Sequence, residues 1–485
     1  MATFKFTNRY PSPTGKPEEV RLMLPPSKSL LIRQIFLDTA WWIRLHSKQK
    51  GFIDEAGEIP IGFEGTEGGD DINGALALTA AIRLRLMRSS EPRMEEDPYW
   101  EAGEAGTVMR FGLALLAFAG LGGTIQGQGR AHQRPIKGLV DALRTLGARI
   151  HYLGQEGYPP LRLEPSSLRG GRVLLPSHVS SQFASALLLG AVCREVELEL
   201  HWGPEELLSR PYLDMTLAML QARGWSVDAG LYNARLSHDR TSGRQVLVPE
   251  GDWSAAAFWI LRQAAYPLAS TLILSDLNPE SLQGDAVLLR WLPWIAPHLE
   301  CVMTPGPSEG LLDLRMRVRD GVGENALDLE IDSPQQPVEW EHKDGFWICH
   351  AAGFPDLVPA LTVWAVLRGI RLQIRGVGHL IYKESDRLQA LSENLQGMGV
   401  PCRVLRDEEL VLMVDPAGPW SKPREGEHRS GMGAFRSYGD HRMVMAMSML
   451  ALPGWNVFLD NARVVTKSYP NFWEHWGALG YELEE

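Results

Sequence analysis

Apolar residues recur along the chain with two periods, one typical of helices and one typical of strands. A helix-period segment that ends in glycine or another short break is followed, again and again, by a short apolar strand. Glycine at such a break suits a helix C-terminus, where the left-handed conformation is needed. The copies read DALRTLGARIHYL, LAMLQARGWSVDA, LPWIAPHLECVM, ENLQGMGVPCRVL and FWEHWGALGYELE, with INGALALTAAIRLRL as a weaker first copy.

The copies stand roughly 75 to 100 residues apart, which is longer than a solenoid repeat. Alternating, β-branched segments precede most of the helices and are typical of strands, namely RVLLP, RQVLVP, RLQIRGV and NVFLDNARVV. About six units that mix strands and helices predict an α/β protein with internal symmetry. The alternative is an ordinary α/β fold whose helices happen to end in glycine.

Three segments carry no periodic apolar face, and we predict surface excursions there. They are rich in glycine, proline or charge and cover residues 47–69, 89–99 and 416–437. The longest apolar runs are too short to cross a bilayer and predict core helices instead. These runs are FGLALLAFAGLGG, FASALLLGAVC and LVPALTVWAVL.

The composition is that of a soluble globular protein, and 485 residues allow two or three domains. A formal net charge of −11 argues against nucleic acid or an acidic membrane as partner. The N-terminus lacks a basic region followed by an apolar stretch, so we predict no secretory signal. The cysteines show no CxxC pair and suit buried thiols in a reducing, cytoplasmic setting. They are Cys193, Cys301, Cys349 and Cys402.

The most charged motif is KESDR, which stands between an apolar segment and a helix-period segment. In it Glu384 lies between Lys383 and Arg387, and nearby cations favour the ionised form of a carboxylate. Such a group can exchange a proton when a substrate brings in negative charge. The alternative is a solvated helix start capped by Ser385 or Asp386.

Polar residues open several other helices whose continuation is apolar. Serine hydroxyls, lysine and arginine at a helix N-terminus all favour an anion. Arg134 precedes Pro135, which predicts the first turn of a helix. Each stretch alone is equally a helix cap or a surface residue. The stretches are LPPSKSLLIR, AGTVMR, RPI, VSSQF, SRPYLD, EGDWSAA, GFPDLVP, YGDHRMVM and VTKSYPNF.

If these helix starts converge, they bring together about five to seven cations and two or three carboxylates. The expected ligand is then small and multiply anionic, such as a phosphorylated carboxylate. The chain contains no GxGxxG after a strand, no GxxxxGK[ST], no HExxH and no GxSxG. Dinucleotide, nucleotide, zinc-protease and serine-hydrolase functions therefore have no motif to support them.

Taken together, these motifs resemble the 5-enolpyruvylshikimate-3-phosphate (EPSP) synthase family, in order and spacing, from Leu24 to the C-terminus. The resemblance implies a two-lobed, inside-out α/β barrel of six βαβαββ-type repeats, three in each lobe. Residues 27–250 would carry mainly the shikimate-3-phosphate site. Residues 1–26 with 251–485 would carry KESDR, DHR and much of the phosphoenolpyruvate site. Chain crossings near Ser27 and Glu250 would join the lobes, which would close over the substrates.

The resemblance also implies the reaction. The enolpyruvyl group of phosphoenolpyruvate would pass to the 5-hydroxyl of shikimate-3-phosphate, with loss of phosphate, by addition and elimination through a tetrahedral intermediate. Carboxylates would relay protons while arginine and lysine neutralise the substrates. The family implies aromatic amino-acid biosynthesis in the cytoplasm by a monomer. It implies small-molecule substrates, no nucleic acid, no membrane, no metal and no organic cofactor.

The family's residue roles carry over by motif. The proton-transfer and catalytic residues would be Asp356, Glu384 and Lys28. Contacts to shikimate-3-phosphate would come from Lys28, Ser29, Arg33, Ser180, Ser181, Gln182, Ser209, Tyr212, Asp356, His379 and Lys383. Contacts to phosphoenolpyruvate would come from Lys28, Gly106, Arg110, Arg134, Gln182, Arg387, Arg442 and Lys467.

The sequence departs from the family pattern at four positions. Glu104 stands where asparagine is common, Phe111 where proline is frequent, Pro26 where glycine is frequent, and His379 where asparagine often contacts substrate. These departures put affinity and glyphosate sensitivity in doubt more than the reaction.

Two alternatives stay open. The sister enolpyruvyl transferase acting on UDP-N-acetylglucosamine carries a cysteine before its RP dipeptide, where this chain has Gly129. A non-catalytic anion-binding paralogue would follow if Glu104 spoils the phosphoenolpyruvate site.

Overall fold

The computed structural model describes residues 4–8, 18–48, 69–87, 97–176, 181–203, 209–238, 249–319, 336–406, 409–416, 433–452 and 456–484. Its strands are β1 (Phe4–Asn8), β2 (Glu19–Met23), β3 (Tyr99–Glu101), β4 (Gly123–Gln126), β5 (Arg149–Tyr152), β6 (Leu161–Glu164), β7 (Gly171–Leu175), β8 (Leu198–Trp202), β9 (Trp225–Ala229), β10 (Asn233–His238), β11 (Thr271–Leu277), β12 (Leu299–Pro305), β13 (Leu312–Val318), β14 (Trp340–Lys343), β15 (Phe346–His350), β16 (Leu372–Arg375), β17 (Cys402–Arg406), β18 (Leu410–Val414), β19 (Gly433–Phe435), β20 (Val457–Leu459) and β21 (Tyr481–Glu484).

Its helices are α1 (Lys28–Lys48), α2 (Asp70–Met87), α3 (Gly106–Ala119), α4 (Lys137–Thr145), α5 (Ser181–Ala191), α6 (Arg210–Ala222), α7 (Trp253–Ala265), α8 (Leu288–Ile295), α9 (Val358–Arg368), α10 (Arg387–Gly397), α11 (His441–Ser448) and α12 (Phe472–Ala478).

The chain divides into two compact units. Residues 28–249 form one, which we call the inserted unit because it interrupts the other between β2 and α7. Residues 1–27 and 250–485 form the split unit. Within the split unit, the two points where the chain leaves and returns are hydrogen-bonded to each other. Ser27 N donates to Glu250 O at 2.8 Å, and Asp252 N donates to Pro25 O at 2.9 Å.

One sheet topology recurs in both units. Along the chain, each repeat consists of a strand, a helix, a strand, a helix and two further strands. In the sheet, the fourth strand lies between the second and the third. The first two strands are parallel and the remaining pairs are antiparallel. The strand orders are β3-β4-β6-β5 and β7-β8-β10-β9 in the inserted unit, and β2-β11-β13-β12, β14-β15-β16-β18-β17 and β19-β20-β1-β21 in the split unit. Strand β14 is an additional edge strand, antiparallel to β15. These are the βαβαββ repeats that the sequence predicted, and the α/β class is confirmed.

Two repeats are unusual. In the last one, the final strand is the N-terminal β1, which pairs antiparallel with both β20 and β21. Residues 28–98, where a sixth repeat is expected, show α1 and α2 among the described residues, and no sheet of their own there.

The first helix of each repeat is buried and the second is half-exposed. Helices α3, α5, α7, α9 and α11 are buried on almost every side and mostly apolar, as is typical of a helix enclosed by protein. Helix α4, by contrast, buries one side through Leu139, Val140, Ala142 and Leu143. Each unit has its own hydrophobic core around its buried helices. The buried helices therefore bring their N-terminal residues, including the polar ones, to defined positions within each unit.

All five strong copies of the helix–break–strand pattern occur as predicted, ending in β5, β9, β12, β17 and β21. RQVLVP lies outside the described residues except for its last residue, Pro249. The three predicted surface excursions also lie largely outside them, and their ends are wrong. Lys48 ends α1, Tyr99 begins β3, and residues 433–435 form β19 with Phe435 buried. No helix in the described part of the chain is long and apolar enough to cross a membrane.

Candidate active site

In the inserted unit, Arg33 connects helices α1 and α6. Its Nε donates to Thr216 Oγ1 at 2.8 Å, Nη1 to Ser29 O at 2.8 Å and Nη2 to Tyr212 O at 3.0 Å. Its guanidinium also lies over the rings of Phe111 and Tyr212, at 5.6 and 5.7 Å from their centroids. Burial, opposed by Tyr212, lowers the pKa of Arg33 to about 10. Arg33 thus positions Ser29 and Tyr212, two of the predicted substrate contacts.

Lys28 stands at the first position of α1 and forms an ion pair across to α2. Its Nζ lies 2.9 Å from Asp71 Oδ2, and Asp71 is buried in the first turn of α2. Sequence reasoning missed Asp71, although the paired Asp70 and Asp71 at a helix start were a signal for it. The ion pair fixes the direction of the Lys28 side chain.

Gly106, Arg110, Arg134 and Gln182 come together where α3 and α5 begin. Arg110 Nη1 donates to Gln182 Oε1 at 2.5 Å, and Nη2 donates to Pro135 O at 3.1 Å. Gly106 leaves room for both arginines, because a Cβ there would lie 2.7 Å from Arg134 Nη1 and 3.0 Å from Arg110 Nη1. Without a side chain at the first residue of α3, the ends of both guanidiniums can approach this position.

The positive charges of Arg110 and Arg134 are not balanced by a carboxylate among the described residues. Within the described residues, the acceptors that Arg110 contacts are neutral, and Arg134 Nε is buried with no hydrogen-bond partner. Burial, reinforced by the charge of Arg134, lowers the pKa of Arg110 to about 9. An anion bound here would relieve both effects, since it would supply the missing opposite charge. Glu104, the suspected obstacle, is exposed and directs its carboxylate towards Gly129.

The remaining predicted residues of this unit lie at helix starts. Ser181 is buried at the first position of α5, and Ser209 is buried just before α6 with a left-handed φ of 59°. Ser180 lies outside the described residues. One detail of the sequence prediction is wrong, because Pro135 does not lie in the first turn of a helix. Arg134 caps the C-terminus of a short 3₁₀-helix, Gly129–Gln133, and α4 begins only at Lys137.

In the split unit, the Asp356 carboxylate is surrounded by three cations. Its Oδ1 lies 2.7 Å from Arg387 Nη1 and 3.8 Å from Lys383 Nζ, and its Oδ2 lies 3.3 Å from Arg442 Nη2. Asp356 itself sits in a short 3₁₀-helix, Pro355–Leu357, just before α9. Three cationic side chains therefore converge on this one carboxylate.

Arg387 is shared between two carboxylates. Besides Asp356, its Nε contacts Asp440 Oδ2 at 2.8 Å, and the fully buried Asp440 also accepts from Ser385 Oγ at 3.0 Å. Burial acts to lower the pKa of Arg387, but Asp440, Asp356 and Glu384 outweigh it and raise the pKa above its ordinary value. Asp440 also caps α11 by accepting from Arg442 N at 2.9 Å. Asp440 therefore orients the guanidinium of Arg387 and fixes the backbone at the start of α11, where Arg442 lies. The sequence places Asp440 in the motif YGDHRMVM but does not predict these contacts.

Glu384 has a partner that the KESDR motif does not contain. Its Oε2 lies 2.7 Å from Nδ1 of His441, the first residue of α11, whose ring is buried. The ion pairs of Arg387 are with Asp356 and Asp440. The sequence prediction, which considers Glu384 only between Lys383 and Arg387, therefore omits these partners and His441. Asp386 caps α10, as one alternative proposed, by accepting from Gln389 N at 3.1 Å.

Glu384, Asp440 and His441 place possible metal-ligand atoms within 4.8 Å of one another. The oxygens of Asp440 are already used by Arg387, Ser385 and the N-terminus of α11. A cation would also meet the charge of Arg387 there. The contacts in this cluster hold Arg387 against Asp440 and join Glu384 to His441 by a hydrogen bond.

His379 and Lys467 complete the predicted set in this unit. Burial, reinforced by Lys383, lowers the pKa of His379 to about 3, so the ring is neutral at physiological pH. In the described part of the chain, neither ring nitrogen has a hydrogen-bond partner. The ring can therefore offer one donor and one acceptor to a ligand. Lys467 ends the short 3₁₀-helix Ala462–Lys467 that follows β20.

Comparison with known proteins gives one consistent result. A family model described as EPSP synthase (3-phosphoshikimate 1-carboxyvinyltransferase) matches residues 81–476. A 3-phosphoshikimate 1-carboxyvinyltransferase of Syntrophobacter fumaroxidans is 34% identical over 405 residues, covering 83% of this chain and 83% of that protein. One of Methanosphaerula palustris is 32% identical over 398 residues, covering 80% and 81%.

Solved structures resemble the fold over its whole length. The structure of EPSP synthase from Acinetobacter baumannii has a TM-score of 0.64 and 20% identity, and the match covers 100% of both chains. The enolpyruvyl transferase NikO from Streptomyces tendae has a TM-score of 0.55 and 13% identity, covering 99% of this chain and 98% of that one. At these identities the likeness concerns the fold alone.

Proposed function

The chain belongs to the EPSP synthase family, and on that premise we propose which of its side chains carry the family's reaction. The protein is an enzyme, a 3-phosphoshikimate 1-carboxyvinyltransferase of aromatic amino-acid biosynthesis. It transfers the enolpyruvyl group of phosphoenolpyruvate to the 5-hydroxyl of shikimate-3-phosphate and releases phosphate. The alternative with UDP-N-acetylglucosamine is not favoured, since the relatives are named for the shikimate reaction.

Two cationic groups are proposed to bind phosphoenolpyruvate. In the inserted unit they are Arg110 and Arg134, whose excess positive charge is supported by the neutral acceptors around Arg110. In the split unit they are Arg387, which the buried Asp440 orients, and Arg442, whose guanidinium contacts Asp356. Arginine forks suit both the phosphate and the carboxylate of this substrate. Lys28, Gly106, Gln182 and Lys467 complete the proposal.

Shikimate-3-phosphate is proposed to contact serine, arginine and tyrosine side chains of the inserted unit. Ser29, Arg33 and Tyr212 are joined by the Arg33 hydrogen bonds, which supports a prearranged set of groups. Lys28, Ser180, Ser181, Gln182 and Ser209 belong to the same proposal, and so do Asp356, His379 and Lys383 of the split unit. The unpartnered ring of His379 supports its role as a hydrogen-bonding contact, in place of the asparagine common in the family.

Proton transfer is proposed for Glu384 and Asp356, with Lys28 assisting. During addition, the attacking hydroxyl loses a proton and the methylene carbon of phosphoenolpyruvate gains one. During elimination, the methyl group so formed returns a proton as phosphate leaves. Glu384 suits these steps because its hydrogen bond to His441 lets the pair hold or release a proton. The Asp356 carboxylate, which contacts three cations, can stabilise the positive charge that develops on carbon.

The observation that carries these assignments is the split-unit cluster, in which Asp356, Arg387 and Asp440 are linked while Glu384 contacts His441. The test is phosphate release from phosphoenolpyruvate in the presence of shikimate-3-phosphate, with UDP-N-acetylglucosamine as the matched control. We expect phosphate release with shikimate-3-phosphate and none with UDP-N-acetylglucosamine. Release only with the second, or binding of shikimate-3-phosphate without release, would contradict the assignment.

The working state is also proposed. The protein is proposed to act as a monomer in the cytoplasm, without a metal or organic cofactor. Its four cysteines are free thiols, and burial raises the pKa of Cys301 to about 12 and of Cys402 to about 12, which supports a reducing compartment. Light scattering of the purified protein at micromolar concentration measures the oligomeric state directly.

A further inference from the structure

A buried carboxyl group outside the assigned residues lies beside the split-unit cluster. Asp285 belongs to a short 3₁₀-helix, Gly284–Val287, between β11 and α8, and is 2% exposed. Its Oδ2 accepts a hydrogen bond from Ser254 Oγ at the start of α7. Within the described residues no cation lies at ion-pair distance from it. A buried carboxyl with only a hydroxyl partner is costly to ionise, so it tends to keep its proton.

The charged groups around Asp285 come from several elements. Helix α7 contributes Asp252 at its N-cap, the turn before α9 contributes Asp356, and α11 contributes Arg442. Arg290 on α8 points elsewhere, to Glu339 at 2.8 Å on the exposed side. Burial first, and then the charge of Asp356, raise the pKa of Asp285 to about 7, while Arg442 opposes the rise. Asp285 can therefore change charge near neutral pH.

Arg442 links this group to the substrate. Its Nη2 lies 3.3 Å from Asp356 Oδ2 and its Nη1 donates to Asp356 O at 3.5 Å. While Asp285 is neutral, Asp356 is the one carboxylate of the two that attracts Arg442. Ionised Asp285 would add a second negative charge in a low-dielectric site, competing for Arg442 and repelling an incoming anion.

We propose that Asp285 is a positioning residue whose retained proton keeps Arg442 available to phosphoenolpyruvate, so that its ionisation weakens the binding of that substrate. The inference rests on the proposed role of Arg442. The sign follows from linkage: an anionic ligand favours the protonated carboxyl, so affinity is full below the pKa of free Asp285 and falls as pH rises through it. One ionising group changes affinity by at most about tenfold per pH unit.

The experiment compares wild type with Asp285→Asn between pH 6 and pH 9. Asparagine keeps the size of the side chain and an acceptor for Ser254, and it cannot ionise. The substrate phosphates titrate equally with both proteins, so the ratio of the two KM values for phosphoenolpyruvate isolates Asp285. We expect the ratio of wild type to variant to rise by about tenfold between pH 6.5 and pH 8.5. A ratio that stays constant across the range overturns the proposal.

A second variant keeps the test decisive if Asp285→Asn does not fold. Ser254→Ala removes the hydrogen bond that favours the ionised form of Asp285. The rise in KM should then begin at higher pH than in wild type, and an unchanged onset overturns the proposal. A merely structural role for either residue would lower Tm without moving the pH profile.

Calorimetric titration with phosphoenolpyruvate separates this inference from the proposed function. It measures the same affinity ratio without turnover. A wild type that releases no phosphate at any pH contradicts the proposed function, whereas a flat affinity ratio contradicts the role of Asp285 alone.

Discussion

Glu384 and His441 form a pair in which a single proton can be shared, and this pair is the most informative detail at the scale of single residues. The 2.7 Å separation joins a carboxylate that is half-buried to a ring that is fully enclosed. The ring of His441 is buried and cannot exchange a proton with water directly. A proton that Glu384 gains or loses must therefore be exchanged with His441 or with the substrate.

Replacing Glu384 by glutamine tests this proton transfer. Glu384→Gln keeps the size of the side chain and a hydrogen bond to His441 but removes the exchangeable proton. We expect kcat to fall by about 10³-fold, since positioned acid–base groups contribute on the order of 10²- to 10⁴-fold. Steady-state phosphate release measures it.

The matched control is Glu393→Gln, because Glu393 is exposed on α10 and contacts Gln389 and Tyr438. It should leave kcat unchanged. Near-normal turnover of Glu384→Gln would remove Glu384 from the proton-transfer steps.

Arg134 tests the anion site of the inserted unit. Removing its guanidinium in Arg134→Ala takes away charge that is not satisfied by any described carboxylate. A charge-assisted hydrogen bond is worth about 1.5 to 3 kcal/mol, so KM for phosphoenolpyruvate should rise by about 10- to 100-fold. Arg149→Ala serves as control, because Arg149 is exposed and pairs with Glu164 at 3.3 Å. An unchanged KM in Arg134→Ala would contradict its binding role.

The residue types at the site could be predicted from the sequence, but their partners could not. Glu384, Arg387 and Asp356 were identified by charge and by position at helix starts. His441, Asp440 and Asp71 were missed as partners, because each contact joins residues far apart in the chain. Periodicity reports on neighbours within one element and contains no information on which helix starts meet.

At the scale of elements, the first turn of α3 shows how a helix start becomes an anion site. Two arginines of like charge approach each other there because Gly106 has no side chain. The helix N-terminus adds its own partial positive charge. The absence of a side chain at Gly106 therefore leaves space that both guanidinium ends occupy and that a Cβ would take from them.

Gly106→Ala is expected to damage the site more than the fold. The new Cβ would lie 2.7 Å from Arg134 Nη1 and 3.0 Å from Arg110 Nη1, so both side chains must move. A misplacement of about 1 Å can cost up to about 10²-fold in rate, and we expect kcat/KM for phosphoenolpyruvate to fall by about 10- to 100-fold. Thermal unfolding should change little, because flexible side-chain ends can give way.

Gly74→Ala is the matched control, since no atom lies within 4 Å of a Cβ at that position of α2. It should leave kcat/KM unchanged and stabilise the protein by about 0.5 to 1 kcal/mol. Equal kinetics for the two variants would show that space at Gly106 is not required.

Element types were predictable where the apolar period was strong, and their ends were not. The five helix–break–strand copies are present because the same residues that set the period also face the core. The sequence predicts a surface excursion over residues 416–437, yet Phe435 and Ser437 are buried. Strand β19 has three residues, which is too short to show alternation, and it pairs in parallel with β20. Ala434 is exposed there, whereas Phe435 packs into the core of the split unit.

At the scale of the whole molecule, the chain ends are joined through one sheet. The N-terminal β1 lies between β20 and β21, with Phe4 opposite Leu459 and Asn8 opposite Tyr481. No sequence pattern predicts a pairing between the two ends of a chain, because local signals stop at the strand itself. The same repeat topology explains it afterwards, since β1 occupies the place of the missing last strand.

This arrangement makes a short N-terminal segment necessary for the last repeat. Removing residues 1–8 deletes a central strand, leaving β21 without a partner and β20 with one. With about 1 kcal/mol of net stabilisation per lost hydrogen bond, we expect a loss of about 3 kcal/mol or more and a Tm lower by at least about 5 °C. Removal of residues 1–3, which precede β1, is the control and should leave Tm unchanged. Helix α11 with Arg442 belongs to the same repeat, so the longer deletion should also raise KM for phosphoenolpyruvate. Equal Tm values for the two truncations would mean that β1 is not required for stability.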